Sequence, residues 1–392
     1  MPTTMRIQDQ LEAATIEQFA AQPLTYRTIE GVPDFLAARA AGWVAFGARP
    51  DHLLSALRKV PDAPMSPDWV GHFLEIGVRH LNAARTADRN GEAHRSKQAY
   101  LASAFYFFLA RWPYPLSPQA REAYEHHIYA YLNAARFSEL PLEVVSVPFE
   151  EAELVGYLRV PPTTEGALPP VVLLSGGIDV WKSDVEIHGI VQTLVERGLA
   201  VMTMDAPGTG QSPVRAGTTG EYTYAAMIDY LRERTDVDGE RIGFYGLSFG
   251  GHWAVKLALN DPRLVAVVNL GGPVHYAFQP DWVSKLPIGT LVNLAATLGI
   301  DFQEAGIDGL ARRLAEMSLV TQGHFSSPCR PALLSVNGAQ DEVVPIADLE
   351  LLGEQGIEQD SLVFAQDRHV ASYNFGLHLP FSAAWLADKL KR

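Results

Sequence analysis

The chain has 392 residues, of which 47% are apolar and 19% charged, with a formal net charge of −14 and a single cysteine, Cys329. This length suits a core domain of about 250 residues with a substantial addition, in a folded rather than a disordered chain. The negative charge argues against a nucleic-acid partner, and one cysteine excludes an intramolecular disulfide and a thiolate metal cluster.

The N-terminal stretch MPTTMRIQDQLEAATIEQ lacks the charged and apolar regions of a secretory signal. No apolar run in the chain approaches the ~20 residues that a membrane span requires. We therefore expect a cytoplasmic protein with no membrane partner.

Residues 1–142 show helical spacing of apolar residues, interrupted by proline and glycine, and predict an all-helical N-terminal domain. The clearest helix runs over residues 93–111. A second is predicted to begin with Ser117 as N-cap and Pro118 in the first turn, and to end near Arg136.

Aromatic side chains recur along the first of these helices and just beyond it. Aromatic residues at helical spacing fit a packed core, but they could also line a substrate cavity. The residues are Tyr100, Phe105, Tyr106, Phe107 and Trp112.

From Leu142 the pattern changes to strands alternating with helices, which predicts a doubly wound, mostly parallel sheet in a catalytic domain over residues 143–392. A hairpin is predicted first, from LEVVSVPF and AELVGYLRV. Helices are expected near residues 185–197, near 222–234, after Ser248, near Ile346 and at the C-terminus. The remaining predicted strands are PVVLLSGG, LAVMTMD, RIGFYG, LVAVVNLG, PALLSVNG and SLVFA.

One interval breaks this alternation, because about 60 residues separate the strand LVAVVNLG from the next strand. It predicts a helical insert over about 273–328, after the sixth core strand, with helices in LVNLAATLGI and IDGLARRLAEMSLV. An insert at the carboxyl ends of parallel strands is well placed to cover a site.

The strongest chemical signal is GLSFGG, with Ser248 between Gly246 and Gly250, directly after the strand RIGFY and before an apolar helix. A serine on such a strand-to-helix turn has its hydroxyl exposed, and the turn requires glycines because a Cβ would collide with neighbouring chain. This context predicts that Ser248 is the nucleophile of an α/β-hydrolase fold.

A serine hydroxyl becomes a good nucleophile only when a histidine takes its proton and an acid orients that histidine. In this fold the acid follows the serine in the chain, and the histidine follows the acid. Asp341 follows the strand PALLSV and is the predicted acid, with Glu342 as competitor. His369 follows the last strand and is the predicted base, with His378 as the alternative.

Two backbone N–H groups must hold the oxyanion that forms during acyl transfer. One is expected from Phe249, the residue after the nucleophile. The other is expected from Gly177 in LLSGGID, or from Ile178 if the loop is shifted by one residue. No phosphate loop, dinucleotide fingerprint or H-E-x-x-H pair is present in the sequence, so we expect no cofactor and no metal.

With these residues in place, the chain resembles the α/β-hydrolases grouped with the fermentation-respiration switch protein, and within that group the 2,6-dihydroxypseudooxynicotine hydrolase type, which cleaves a carbon–carbon bond. The resemblance spans about residues 143–392. The matching stretches are GGIDVWKSD, DAPGTGQS, RIGFYGLSFGG, NGAQDEVVP and RHVASYNFG.

The resemblance implies that Ser248, Asp341 and His369 act together, and that carbon–carbon cleavage would need a further acid in the cavity. Asp179 is the first candidate for that acid and Asp281 the second. Asp179 and Ile178, beside the oxyanion loop, are expected to bind the substrate, although Asp179 could equally bond local N–H groups in its loop.

We therefore predict a hydrolase that cleaves an ester, lactone or activated ketone of a small, largely apolar or aromatic carbonyl substrate, in a protein that could be a homodimer. An acyltransferase or polyketide-tailoring enzyme with the same residues is one alternative. A non-catalytic ligand-binding protein on a hydrolase fold is another.

Overall fold

The structure, a computed structural model, describes residues 40, 43, 49–59, 66–163, 166–187, 189–326 and 329–391. These residues form two compact units. The helical unit comprises the described residues within Thr25–Leu142 together with Ser183–Gly189, and the α/β unit comprises those of Glu143–Lys182 and Ile190–Arg392. None of the helices in the described part of the chain combines the length and apolarity that a bilayer crossing requires.

The described part of Thr25–Leu142 forms helices and contains no strand, as its sequence pattern predicts. Ser117 caps the last helix by accepting a hydrogen bond from the Ala120 N–H at 3.1 Å, because its side-chain oxygen satisfies an N–H that has no partner within the helix. The predicted helix starts and ends are confirmed. The helices are α1 (Pro50–Lys59), α2 (Pro67–Arg89), α3 (Ala93–Arg111) and α4 (Pro118–Ala135).

The aromatic residues of α3 are packed inside the helical unit. All five predicted aromatic side chains are buried, and Phe105, Tyr106 and Trp112 belong to an apolar core shared with Trp69 and Phe73 of α2. Aromatic side chains bury a large apolar area each, so they dominate the energetics of such a core. These residues therefore serve as core.

A buried charge cluster joins the segment Ser183–Gly189 to the rest of the helical unit. Arg111 donates a hydrogen bond to the Asp184 carboxylate, and His127 Nε2 lies 3.2 Å from the other carboxylate oxygen. The three side chains are at most 1% exposed. Removing one partner would leave a buried charge uncompensated, so these contacts fix the segment firmly.

The described residues of the α/β unit form eight strands: β1 (Glu143–Phe149), β2 (Ala152–Arg159), β3 (Pro170–Ser175), β4 (Ala200–Met204), β5 (Asp238–Leu247), β6 (Leu264–Leu270), β7 (Ala332–Gly338) and β8 (Asp360–Phe364). The predicted hairpin is the antiparallel pair β1 and β2, β2 runs antiparallel to β4, and the other pairs are parallel. The strands form one sheet in the order β1-β2-β4-β3-β5-β6-β7-β8.

The central strands are buried on both faces, since helices cover both sides of a parallel sheet. All five residues of β4 are buried, and so are all but the first of β3. Residues of these strands share one core with the helices Glu221–Glu233 and Phe249–Asn260. The helices that follow in the chain are α5 (Lys182–Ile187), α6 (Ile190–Val195), α7 (Glu221–Glu233), α8 (Phe249–Asn260), α9 (Pro280–Val283), α10 (Ile288–Leu298), α11 (Phe302–Ala315), α12 (Ala347–Glu354) and α13 (Phe375–Lys389). The first residue of α5, Lys182, belongs to the α/β unit and its remaining residues to the helical unit.

The predicted doubly wound fold, with helices before it and an insert after the sixth strand, is confirmed. One helix differs: the single helix expected over 185–197 is two short helices, α5 and α6. Gly189 between them has φ +73°, in the left-handed region where a helix ends.

The insert begins with a short helical turn, Tyr276–Phe278, and continues through α9, α10 and α11. The Asp348 carboxylate, which is fully buried, accepts hydrogen bonds from the N–H groups of His275, Tyr276 and Ala277 at 2.6 to 3.1 Å. Burial raises the pKa of Asp348, although these N–H groups act in the opposite direction. This contact fixes the start of the insert beside α12.

Candidate active site

Ser248 lies on a strained turn between β5 and α8. Its backbone angles, φ 54° and ψ −119°, fall in a region that residues other than glycine rarely adopt. The glycines around it are sterically required: a Cβ at Gly246 would overlap the Gly250 carbonyl oxygen, and a Cβ at Gly250 would lie 2.6 Å from the Gly176 carbonyl oxygen. The local sequence therefore permits the turn, and strain of this kind concentrates at functional sites.

The structure brings Ser248, His369 and Asp341 together in one hydrogen-bonded chain. Ser248 Oγ lies 2.8 Å from His369 Nε2, and His369 Nδ1 lies 2.7 Å from Asp341 Oδ2. The residues come from the ends of β5 and β7 and from the segment after β8, so they are distant in sequence and meet at the carboxyl edge of the sheet.

The Asp341 carboxylate is held as an anion by several donors. Val343 and Val344 donate their N–H groups to Oδ1 at 2.7 and 3.0 Å, and Asn337 Nδ2 donates to Oδ2 at 2.9 Å. Burial acts to raise the pKa of Asp341, but the charge of His369 and the hydrogen bonds from His369, Val344 and Asn337 outweigh it, so the pKa lies below its usual value. Asp341 is therefore ionised at neutral pH.

Two polar residues that the sequence analysis did not single out support this arrangement. Asn337, at the end of β7, donates to Asp341 and accepts the Val370 N–H at 3.1 Å through Oδ1. Asp367, 1% exposed, accepts the N–H groups of Arg368, Tyr373 and Asn374 and the Asn374 side-chain amide. Asn337 lies at the end of β7, shortly before Asp341, and Asp367 lies shortly after β8, before His369. This position near a strand end is the only feature of the sequence that could have indicated their roles.

The two competing candidates lie elsewhere. The Glu342 side chain is 74% exposed and 3.9 Å from Arg368. His378 lies in α13, fully buried, with its ring near those of Phe364 and Phe375. Burial lowers the pKa of His378 to about 4.

The predicted oxyanion residues lie next to Ser248. Phe249 is the first residue of α8. A Cβ placed on Gly177 would lie 2.9 Å from Ser248 Cβ and 3.2 Å from Ser248 Oγ, so the Gly177 backbone lies against the serine side chain. Ile178 follows it and contributes its side chain to a cavity.

This cavity opens beside Ser248 and contains about 410 Å³ of space, part of it open to solvent. Its lining is almost entirely apolar, and neither Asp179 nor Asp281 belongs to it. Of the twelve described residues that line it, seven come from the segment after β6 that contains the insert. The lining residues are Ile178, Ser248, Phe249, Pro273, Ala277, Phe278, Leu286, Thr290, Leu294, Leu314, Val343 and Val344.

Within the described ranges, no group of three or more histidine, cysteine, aspartate or glutamate side chains is arranged to hold a metal ion. Cys329 is a half-buried free thiol, and burial raises its pKa to about 11. The hydrogen bonds of Ser248 and Asp341 to His369 place a hydroxyl beside an imidazole and a carboxylate, the groups used in nucleophilic catalysis by serine.

Protein families and known proteins similar to this chain include esterases. The family described as FrsA-like esterases matches residues 65–391. Esterase FrsA of Vibrio vulnificus strain YJ016 is 27% identical over 333 residues, which cover 83% of this chain and 77% of that protein. Esterase FrsA of Yersinia pestis strain Pestoides F is 27% identical over 334 residues with the same coverage.

Two solved structures share the fold over nearly the whole chain. The 2,6-dihydroxy-pseudo-oxynicotine hydrolase superposes with a TM-score of 0.76 at 19% identity, covering 89% of this chain and 95% of that one. Wild-type AbyA5 superposes with a TM-score of 0.71 at 22% identity, covering 92% and 99%.

Proposed function

Because the chain belongs to the FrsA-like esterase family and is an α/β-hydrolase enzyme, we propose that it hydrolyses an ester through Ser248, His369 and Asp341. Ser248 Oγ attacks the ester carbonyl while His369 Nε2 takes its proton. The imidazolium then returns that proton to the departing alcohol, leaving an acyl group on Ser248. In the second half of the reaction His369 takes a proton from water, whose oxygen attacks the acyl carbon. The bond from that carbon to Ser248 Oγ breaks, the imidazolium returns the proton to Ser248 Oγ, and the acid leaves.

The observation that carries this proposal is the unbroken contact chain from Ser248 Oγ to His369 Nε2, at 2.8 Å, and from His369 Nδ1 to Asp341, at 2.7 Å. Asp341 is fully enclosed and anionic, so it stabilises the imidazolium that forms when His369 accepts the proton. His369 is 19% exposed, which leaves it accessible to the water of the second step.

The tetrahedral oxyanion would be held by the N–H groups of Phe249 and of Gly177, or Ile178 in place of Gly177. The proximity of Gly177 to Ser248 favours this loop as the source of the second donor. Donors fixed before the reaction are worth more than mobile ones, because they need no reorganisation as the charge develops.

We propose a small, uncharged substrate with an apolar part. Among the described residues that line the cavity, Thr290 and Ser248 supply the only polar side chains, and none of them is charged. A charged group placed there would lose its hydration without gaining a partner. Carbon–carbon cleavage would require a further acid in this space, and the two candidates, Asp179 and Asp281, are not among its lining residues.

The test is hydrolysis of p-nitrophenyl butyrate by the wild type and by Ser248→Ala, with products identified. The variant should lose about 10⁴-fold or more in kcat, and adding His369→Ala should cost little more because these groups act as a unit. Full activity of Ser248→Ala would end the proposal. Acyl transfer to an added alcohol in preference to water would identify an acyltransferase instead.

A further inference from the structure

A buried ion pair lies at the far end of the β3–α5 loop, residues 176–181, which carries Gly177 and Ile178. Lys182 and Asp205 are 0% and 4% exposed. The Lys182 backbone N–H donates to Asp205 Oδ1 at 2.8 Å, and the Lys182 ammonium donates to Asp205 Oδ2. The ammonium also lies over the Tyr157 ring, 5.3 Å from its centre.

The turn that follows β4 encloses the Asp205 carboxylate. Gln211 donates its N–H to Asp205 Oδ2 at 2.8 Å. Gly210, with φ +48°, passes so close that a Cβ there would overlap the carboxylate. The carboxylate thus receives three hydrogen bonds, two of them from Lys182, the residue directly after the β3–α5 loop.

The loop itself has little freedom between Ser175, the last residue of β3, and Lys182. A Cβ on Gly176 would overlap the Val180 carbonyl oxygen, so the backbone folds tightly on itself. Trp181, 2% exposed, donates its indole N–H to the Ile178 carbonyl at 3.0 Å. A displacement of Lys182 would therefore be transmitted to Gly177 and Ile178.

Stability does not account for this pair, since a buried ion pair is often no more stable than an apolar pair of the same volume. What such a pair supplies is a fixed position, because each charge is strongly disfavoured without its partner. The pair would fix the position of the β3–α5 loop relative to Ser248. The loop lies so close to this serine that a Cβ on Gly177 would be 2.9 Å from Ser248 Cβ.

We propose that Lys182 and Asp205 form a positioning pair that sets the distance between the β3–α5 loop and Ser248, and with it the strength of oxyanion binding. This role rests on the proposed function, since it presupposes an oxyanion formed at Ser248. The pair contacts neither Ser248 nor the cavity, so it would act on the transition state through the loop.

The first variant is Asp205→Asn, which keeps an acceptor for the Lys182 N–H but removes the charge that holds the ammonium. We expect kcat to fall by about tenfold to a hundredfold with KM little changed, because a misplaced loop weakens binding only of the developing charge. Affinity for butylboronic acid, which forms a tetrahedral adduct with a serine, should fall by a similar factor.

The matched control is Glu221→Gln. It breaks the ion pair of another buried lysine in the same unit, Lys256, whose ammonium lies 2.9 Å from Glu221. Lys256 keeps hydrogen bonds to the Thr218 carbonyl and to Gln322. This control should lower thermal stability while changing kcat and boronate affinity by less than about threefold.

Lys182→Arg and Lys182→Met separate charge from packing, and Arg should retain more kcat than Met. If Asp205→Asn does not fold, the double variant Lys182→Met/Asp205→Asn removes both charges and is measured in its place, with the same expected loss. Equal losses in kcat for the Asp205 variant and the control, or a loss confined to KM, would overturn the positioning role. A wild type that neither hydrolyses esters nor is labelled at Ser248 by a fluorophosphonate would instead overturn the proposed function.

Discussion

Replacing Gly177 by alanine tests whether the β3–α5 loop holds the oxyanion. The new Cβ would lie 2.9 Å from Ser248 Cβ and 3.2 Å from Ser248 Oγ, whereas carbon atoms prefer about 3.5–4.0 Å. The loop or the serine must therefore move by roughly 0.6–1 Å, which takes a hydrogen bond of normal length out of range. Losing one oxyanion donor costs about 10²–10³-fold in kcat, or about 3–4 kcal/mol.

The assay is the initial rate of p-nitrophenyl butyrate hydrolysis at saturation, with thermal unfolding measured on the same samples. The matched control is Gly217→Ala, because a Cβ at Gly217 meets nothing within 4 Å. We expect the control to keep its kcat and Gly177→Ala to lose it while remaining folded. A Gly177→Ala enzyme with wild-type kcat would refute the assignment of this loop to oxyanion binding.

Three further predictions use contacts away from the nucleophile. Asn337→Ala removes the side chain that bonds Asp341 and the Val370 N–H; it should cost about 1–3 kcal/mol of unfolding free energy in urea titrations and about tenfold in kcat, and an unchanged kcat would contradict the supporting role. Leu294→Trp fills the cavity, so the rate on p-nitrophenyl octanoate should fall at least tenfold relative to the acetate, whereas a uniform change across chain lengths would place the substrate elsewhere. His378 has a pKa of about 4 when folded, below its unfolded value of about 6.5. The unfolded state alone therefore takes up its proton as the pH falls from 6.5, and stability should drop by about 2 kcal/mol by pH 5. Urea titrations at pH 6.5 and pH 5 would measure the free energy of unfolding. The variant His378→Leu should show a smaller decrease between the two pH values than the wild type, and the control His94→Gln, at an exposed site, should show the same decrease as the wild type. Equal decreases in both variants would contradict the effect of burial on His378.

Much of the fold follows from local pattern. The strand periods, the helix caps and the insert all depend on residues close together in sequence, and the predicted Ser117 cap illustrates this. The prediction of a single helix over 185–197 was wrong. Helical spacing of apolar residues continues through this interval, but Gly189 adopts a left-handed conformation that ends a helix. Nothing in the local pattern distinguishes that glycine from one inside a helix.

The candidate site likewise contains residues that the local sequence indicates and residues whose roles depend on the folded structure. Ser248, Asp341 and His369 could be selected because each follows a strand at the position that the chemistry requires, and the structure brings them together. Their catalytic roles stay predictions until they are measured. The roles of Asn337 and Asp205 could not be predicted, because the partners of each are brought close only by the folded sheet. The cavity lining likewise depends on how the insert packs.

The most direct test of the central claim is the covalent labelling of Ser248. The wild-type protein is incubated with a fluorophosphonate, its intact mass is measured, and the modified peptide is sequenced. We expect one adduct per chain, on the peptide containing Ser248, with no adduct on Ser248→Ala and a much slower reaction for His369→Ala. An adduct that persists in Ser248→Ala, or a wild type that hydrolyses esters yet is never labelled at this serine, would contradict that claim.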